Sequence, residues 1–120
     1  MQGRRADRVS TLIQEEISRL ILQSVKDPRI GFVAVTRVRV SDDLRQAMVY
    51  IASNRGEEKQ RQEVLIGLKH AAGFLRGELG RRLTLRYVPE ILFSLDDSLE
   101  QELHLDKLFR QIEATETQEQ

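Results

Sequence analysis

The sequence predicts an α+β domain in which helices cover one face of a three-stranded sheet. Three observations predict it. An amphipathic helical pattern occupies residues 9–21. Two short runs of alternating apolar residues follow, separated by Ser41-Asp42-Asp43. A long helical pattern over residues 57–83 then precedes a third apolar run at 85–95. A sheet with helices segregated to one face is the natural solution for that order. One hundred and twenty residues fit one domain.

In the first helix, Val9, Leu12, Ile13, Ile17, Leu20 and Ile21 recur at spacings of three and four and share a face. Gln14, Glu15, Ser18 and Arg19 take the other face. Pro28 stands beyond the helix end, where proline cannot continue the ladder. The first strand spans Phe32 to Val40. Strict alternation puts Phe32, Ala34, Thr36, Val38 and Val40 towards the core, and Arg37 and Arg39 on the opposite face. Ser41-Asp42-Asp43 has turn chemistry. The second strand, Arg45 to Ala52, places Ala47, Val49 and Ile51 on one side and closes an antiparallel hairpin.

The long helical pattern carries Val64, Leu65, Leu68, Ala72, Leu75, Leu79 and Leu83 as its apolar stripe. It also holds Gly67, Gly73, Gly77 and Gly80, each costing about 1 kcal/mol relative to alanine in a helix interior. That density predicts a break near Ala71-Ala72-Gly73, hence two helices. The third strand is expected over Leu85 to Leu95, with Pro89 at a bulge or an unpaired edge position. Ser98, with Gln101 three residues on, reads as the capping box of an appended last helix striped by Leu99, Leu103, Leu108 and Ile112. The domain is therefore drawn as residues 1–112, with 113–120 a disordered acidic tail.

The chain is 40% hydrophobic and 32% charged, the balance of a soluble globular protein. A formal net charge of zero hides a division. Residues 1–89 hold 17 Lys/Arg against 10 Asp/Glu, and residues 90–120 hold 2 against 9. A basic body could face a polyanion with the acidic end turned away; equally, the charges could serve solubility alone. The absence of cysteine excludes disulfides and thiolate metal sites and fits a cytoplasmic protein. No apolar run suits a membrane span or a secretory signal.

Catalytic chemistry finds little support. His70 and His104 are the only histidines, at no zinc-binding spacing. No phosphate-cradling GxxxxGK[ST] loop occurs. Asp96, Asp97, Glu100 and His104 form an acidic cluster that helix-start chemistry explains more simply than a metal does. No enzyme activity, metal or cofactor is expected.

Several stretches in order carry a family resemblance. They are the basic opening of the first helix, Asp27-Pro28-Arg29, Val38-Arg39-Val40-Ser41 and Ala47-Met48-Val49-Tyr50. The most specific run is Ala71-Ala72-Gly73-Phe74-Leu75-Arg76. Leu79-Gly80, Leu85-Arg86, Val88-Pro89-Glu90, Phe93 and Asp96-Asp97-Ser98 follow. Together they resemble the ribosome-binding factor A family over about residues 4–110. The resemblance implies a type II KH-like fold: helix-strand-strand-helix-kink-helix-strand with an appended C-terminal helix. It places an Ala-x-Gly kink at Ala71, Ala72 and Gly73 where ordinary KH domains carry a GxxG clamp. The literal GxxG at Gly77-Glu78-Leu79-Gly80 is set aside, because Leu79 lies on the apolar stripe and Glu78 would repel phosphate. Gly80 is read instead as the helix end.

The resemblance also implies function: a cytoplasmic monomer that binds the free 30S small ribosomal subunit late in assembly. It would support maturation of 16S rRNA near its 5′-terminal helix, and matter for growth in the cold. Candidate RNA contacts are Arg4, Arg5 and Arg8 at the first helix; Lys26 and Arg29 before the strand; and Arg37 and Arg39 on it. Lys69, Arg76, Arg81, Arg82 and Arg86 surround or follow the kink, with His70 beside them. For each, a solvated basic face is the plainer reading, and Ala71-Ala72-Gly73 could be small only to let helices pack. Phe32 and Phe93 read as core. Tyr50 and Tyr87 are candidate platforms for a base. The alternative function is a protein–protein module without direct RNA contact.

Overall fold

The computed structural model describes residues 4–96. In chain order these form α1 (Arg4–Ser24), β1 (Val33–Val40), β2 (Gln46–Ser53), α2 (Glu58–Arg82) and β3 (Glu90–Leu95). The strands lie in the order β1-β2-β3. β1 and β2 form the expected antiparallel hairpin, whereas β2 and β3 are parallel. A parallel neighbour needs a crossover, and α2 supplies it.

Both helices press on one sheet face. Ile13, Ile17, Leu20 and Ile21 of α1 meet Val64, Leu68, Leu75 and Leu79 of α2 in one cluster with Val38, Val40, Ala47, Val49, Ile51 and Ile91. No charged or polar side chain is buried among the described residues. Ser10 of α1 clips the helix to the sheet: its Oγ donates to Ala6 O and accepts from the Val40 N–H. Leu12 departs from the expectation. It sits at the margin of the apolar stripe and is 44% exposed.

The first strand does not alternate strictly. Val35 pairs with Ile51 and Arg37 with Tyr50, so Thr36 is an extra residue and β1 carries a bulge. The bulge reverses facing along the strand. Val33 joins the core and Val35 packs against it. Of Phe32, Ala34 and Thr36, expected inside, Ala34 is buried but stands outside the core cluster, and Phe32 and Thr36 are only half-buried. Beyond the bulge the expectation holds, with Val38 and Val40 buried and Arg37 and Arg39 exposed. Thr36 Oγ1 is anchored to Asp96 Oδ2 at 3.0 Å, tying the bulge to the residue after β3.

The break expected at Ala71-Ala72-Gly73 is absent: α2 runs unbroken for 25 residues. Burial on both sides of that point, at Val64, Leu68, Leu75 and Leu79, holds the helix through its glycines. Two of the glycines serve packing. A Cβ on Gly67 would lie 2.9 Å from Ile30 Cγ1, and one on Gly80 would lie 3.2 Å from Val88 Cγ2. Gly80 is therefore inside the helix, whose C-cap is Leu83. β3 begins at Glu90 rather than Leu85, and Pro89 is buried just ahead of it. Residues 83–89 form a linker on the helical side. The appended helix, its Ser98 cap and the 113–120 tail lie outside the described residues.

Candidate nucleic-acid interface

Most of the expected RNA-contacting residues fall into three places. The first is a cleft of about 380 Å³ where the start of α1, the β1–β2 turn and the α2–β3 linker meet. Arg5, Arg8, Val9 and Leu12 line it from α1, Asp42, Asp43 and Leu44 from the turn, and Thr84, Leu85, Arg86 and Tyr87 from the linker. Arg5, Arg8 and Arg86, far apart in sequence, converge here. Arg4 also belongs to the first turn of α1.

Each wall is fixed by local chemistry. Leu44 adopts φ 63°, a left-handed conformation that costs roughly 1–2 kcal/mol for a residue with a Cβ. The turn is held by the Leu44 N–H donating to Ser41 O at 2.8 Å, and Leu44 packs against the core. The Ser41 hydroxyl donates to Asp43 Oδ1 at 2.6 Å, and the Arg45 N–H donates to the same oxygen at 3.0 Å. Those bonds hold the Asp43 carboxyl below the usual carboxylate range, the hydroxyl first. Arg76 fixes the linker, donating from Nε and Nη2 to Val88 O at 3.1 and 2.9 Å. The linker then presents Arg86 with its guanidinium 5.9 Å from the centre of the Tyr87 ring.

The second place is the turn between α1 and β1. Arg29 chelates Asp27, donating from Nε at 3.0 and 3.1 Å and from Nη2 at 2.6 Å. That pairing lowers the Asp27 pKa to about 2, the side-chain bonds to Arg29 first and the Arg29 backbone N–H second. Arg29 Nη2 also lies 3.3 Å from His70 Nδ1, joining this turn to the middle of α2. Lys26 and Lys69 are exposed. Ala71 and Ala72 are half-buried, but Gly73 is exposed and a Cβ on it would meet nothing within 4 Å. Helix packing therefore does not explain the glycine at 73. Beside it, Ile66 and Phe74 are 47% and 48% exposed.

The third place is the sheet face away from the helices. Arg37 stacks over the Tyr50 ring at 4.2 Å, and Arg39 is exposed beside Met48 and Leu92. The sheet separates these two arginines from the cleft.

Arg81 and Arg82 sit at the end of α2, both paired with Glu78, at 2.8 and 3.4 Å. Arg82 also comes within 4.0 Å of Glu16 Oε2, a shielded oxygen. Exposed pairs of this kind are worth about 0–1 kcal/mol, so a phosphate can exchange with the carboxylate at little cost. Leu79 of the literal GxxG is fully buried, as expected of the stripe.

The sequence did not reveal the cleft as a unit. Leu12, Leu44, Thr84 and Leu85 carry no chemical signature, and only the tertiary fold joins them to the arginines. Tyr87, an aromatic next to Arg86, was the one available signal. No group of three metal-ligating side chains occurs among the described residues, and no helix there is long and apolar enough to cross a membrane. Residues 97–104 of the acidic cluster lie outside them.

Comparisons with known proteins agree with one another. Residues 5–109 match the family model described as ribosome-binding factor A. The chain is 47% identical over 116 residues to the ribosome-binding factor A of Halothermothrix orenii, covering 97% of this chain and 94% of that one. Among solved structures, it is similar to the crystal structure of ribosome-binding factor A from Thermus thermophilus. The TM-score is 0.65 at 28% identity, over 75% of this chain and 94% of the other. It is also similar to a homology model of the Thermus thermophilus factor fitted into the cryo-EM map of a complex with the 30S subunit. There the TM-score is 0.56 at 26% identity, over 78% and 93% of the two chains.

Proposed function

Because this chain belongs to the ribosome-binding factor A family, a family of non-catalytic ribosome assembly factors, we propose that it binds the free 30S small ribosomal subunit through its basic surface. The chain is not an enzyme. The observation that carries the reading is its likeness to the Thermus thermophilus factor fitted into the map of a 30S complex. The charge placement supports it. Arg5, Arg8 and Arg86 gather at one cleft, while Arg81, Arg82, Lys69 and Lys26 are exposed on or beside the helices. Phosphate contacts of this kind position a protein on folded RNA without reading its bases.

In this reading the protein acts late in assembly, as a cytoplasmic monomer, and supports 16S rRNA maturation near the 5′-terminal helix, most acutely in the cold. The type II KH-like description belongs to the same reading. It is supported by the order of α1, β1, β2, α2 and β3, with α2 a single helix through the Ala-x-Gly position. RNA contact near that position uses the open backbone at Gly73 together with Lys69 and His70.

Co-sedimentation with purified small subunits, large subunits and whole ribosomes tests this. Selective retention on free small subunits is expected. Equal retention on all three particles, or none at low salt, would contradict it. Accumulation of 16S precursor on depletion of the protein, strongest at low temperature, tests the maturation step.

A further inference from the structure

The cleft between α1, the β1–β2 turn and the α2–β3 linker has features that general attraction to a polyanion does not require. Its floor is apolar: Val9, Leu44 and Leu85 are half-buried, and Leu12 is 44% exposed. A tyrosine stands at its rim with 62% of its surface exposed. Phosphate binding needs neither feature. Its volume of about 380 Å³ falls within the range of about 300–1,000 Å³ typical of small-ligand pockets.

An exposed aromatic ring, a greasy floor and three convergent guanidiniums are what one nucleotide needs when its base is free of a partner. The base has a π-face for the ring and apolar surface for the floor, and the phosphates on either side need cations. The walls are asymmetric. Asp42 and Asp43 occupy the turn side, and the arginines come from α1 and the linker. Phosphates are thereby directed away from the turn, towards Arg5, Arg8 and Arg86. The linker is braced for this, with Arg76 bonded twice to Val88 O just behind Tyr87.

We propose that this cleft holds one unpaired nucleotide of a single-stranded RNA segment, its base stacked on Tyr87 above Leu12 and Leu85, its flanking phosphates on Arg5, Arg8 and Arg86. The site lies apart from the Ala71-Ala72-Gly73 position. It rests on the RNA-binding reading above and adds to it a preference for single strands, which phosphate attraction alone does not give.

The test titrates the full-length protein with single-stranded hexaadenylate RNA at low salt, and separately with a six-base-pair RNA duplex, following amide and Tyr87 ring resonances. The single strand is expected to shift Leu12, Leu85 and Tyr87, and the duplex to leave the Tyr87 ring unmoved. Tyr87→Ala should weaken hexaadenylate binding roughly 5- to 150-fold, the range for loss of one stacked base. Tyr87→Phe, which keeps the ring, should stay within about twofold of wild type. Tyr87 is largely exposed, so both variants should fold, which their spectra report directly. Equal binding by Tyr87→Ala, shifts that bypass the cleft, or no hexaadenylate binding would each overturn the proposal. Co-sedimentation of the same preparations with small subunits separates the two readings. If wild type still binds them, only the nucleotide site falls; if it does not, the subunit-binding reading falls as well.

Discussion

Asp27 and Arg29 show how a residue's chemistry is settled by its neighbours. Arg29 looked like a free cation before the first strand, yet its guanidinium is committed to Asp27 and touches His70. Arg76, another expected phosphate ligand, secures the α2–β3 linker. Sequence reasoning found the arginines but could not tell which were occupied: Arg29 turns back on Asp27, two residues away, and reaches His70, 41 residues on, while Arg76 is held by a backbone carbonyl 12 residues away. The Asp27 pairing makes a pH prediction. Its pKa is about 2 in the folded chain, below the ordinary 3.8. The pairing therefore stabilises the fold fully above pH 3.8 and is lost as pH falls through about 2. Carboxyl-carbon NMR should find that low midpoint in wild type and a higher one in Arg29→Ala, where the backbone N–H of residue 29 still donates to Asp27 Oδ1 but the guanidinium is gone. An unchanged midpoint in the variant would show that Arg29 is not the cause. Gly31, at φ 62°, faces the Arg55 guanidinium, which donates to Pro28 O. Gly31→Ala should destabilise by about 1–2 kcal/mol in denaturant unfolding, the cost of a left-handed residue with a Cβ.

At the scale of elements, periodicity located all five described segments and the buried faces of α1, β2 and α2. Two features escaped it. The Thr36 bulge reverses side-chain facing in half of β1, and an extra residue has no signature in a run that is apolar or small on both sides. The glycines of α2 suggested a break because local propensity was weighed without the tertiary contacts that override it. Gly67 and Gly73 separate these causes. Gly73→Ala meets nothing within 4 Å and should stabilise by about 1 kcal/mol, the propensity gain in an intact helix. Gly67→Ala offers the same gain but places its Cβ 2.9 Å from Ile30 Cγ1, so it should stabilise less or destabilise. If thermal unfolding found Gly73→Ala destabilising, α2 would not be a regular helix at that point.

At the scale of the molecule, the charge division marks residues 1–89 as basic, but charge counting gave no geometry. The fold distributes the arginines over a cleft, a turn, the end of α2 and the far sheet face; the cleft's ring, Tyr87, is 62% exposed, whereas the ring on the far sheet face, Tyr50, is half-buried with Arg37 stacked over it. One binding event on folded RNA need not use all of these places. The most direct test of the central claim is small-subunit binding across a salt series for wild type and an Arg5/Arg8/Arg86→Ala variant. Each phosphate contact contributes about 0.7–0.9 to the slope of log affinity against log salt. A steep slope is expected for wild type and one shallower by about 2–3 in the variant, with weaker binding at every salt concentration. Salt-independent binding, or identical slopes for the two proteins, would contradict that claim and identify the chain as a protein-docking module whose arginines are bystanders.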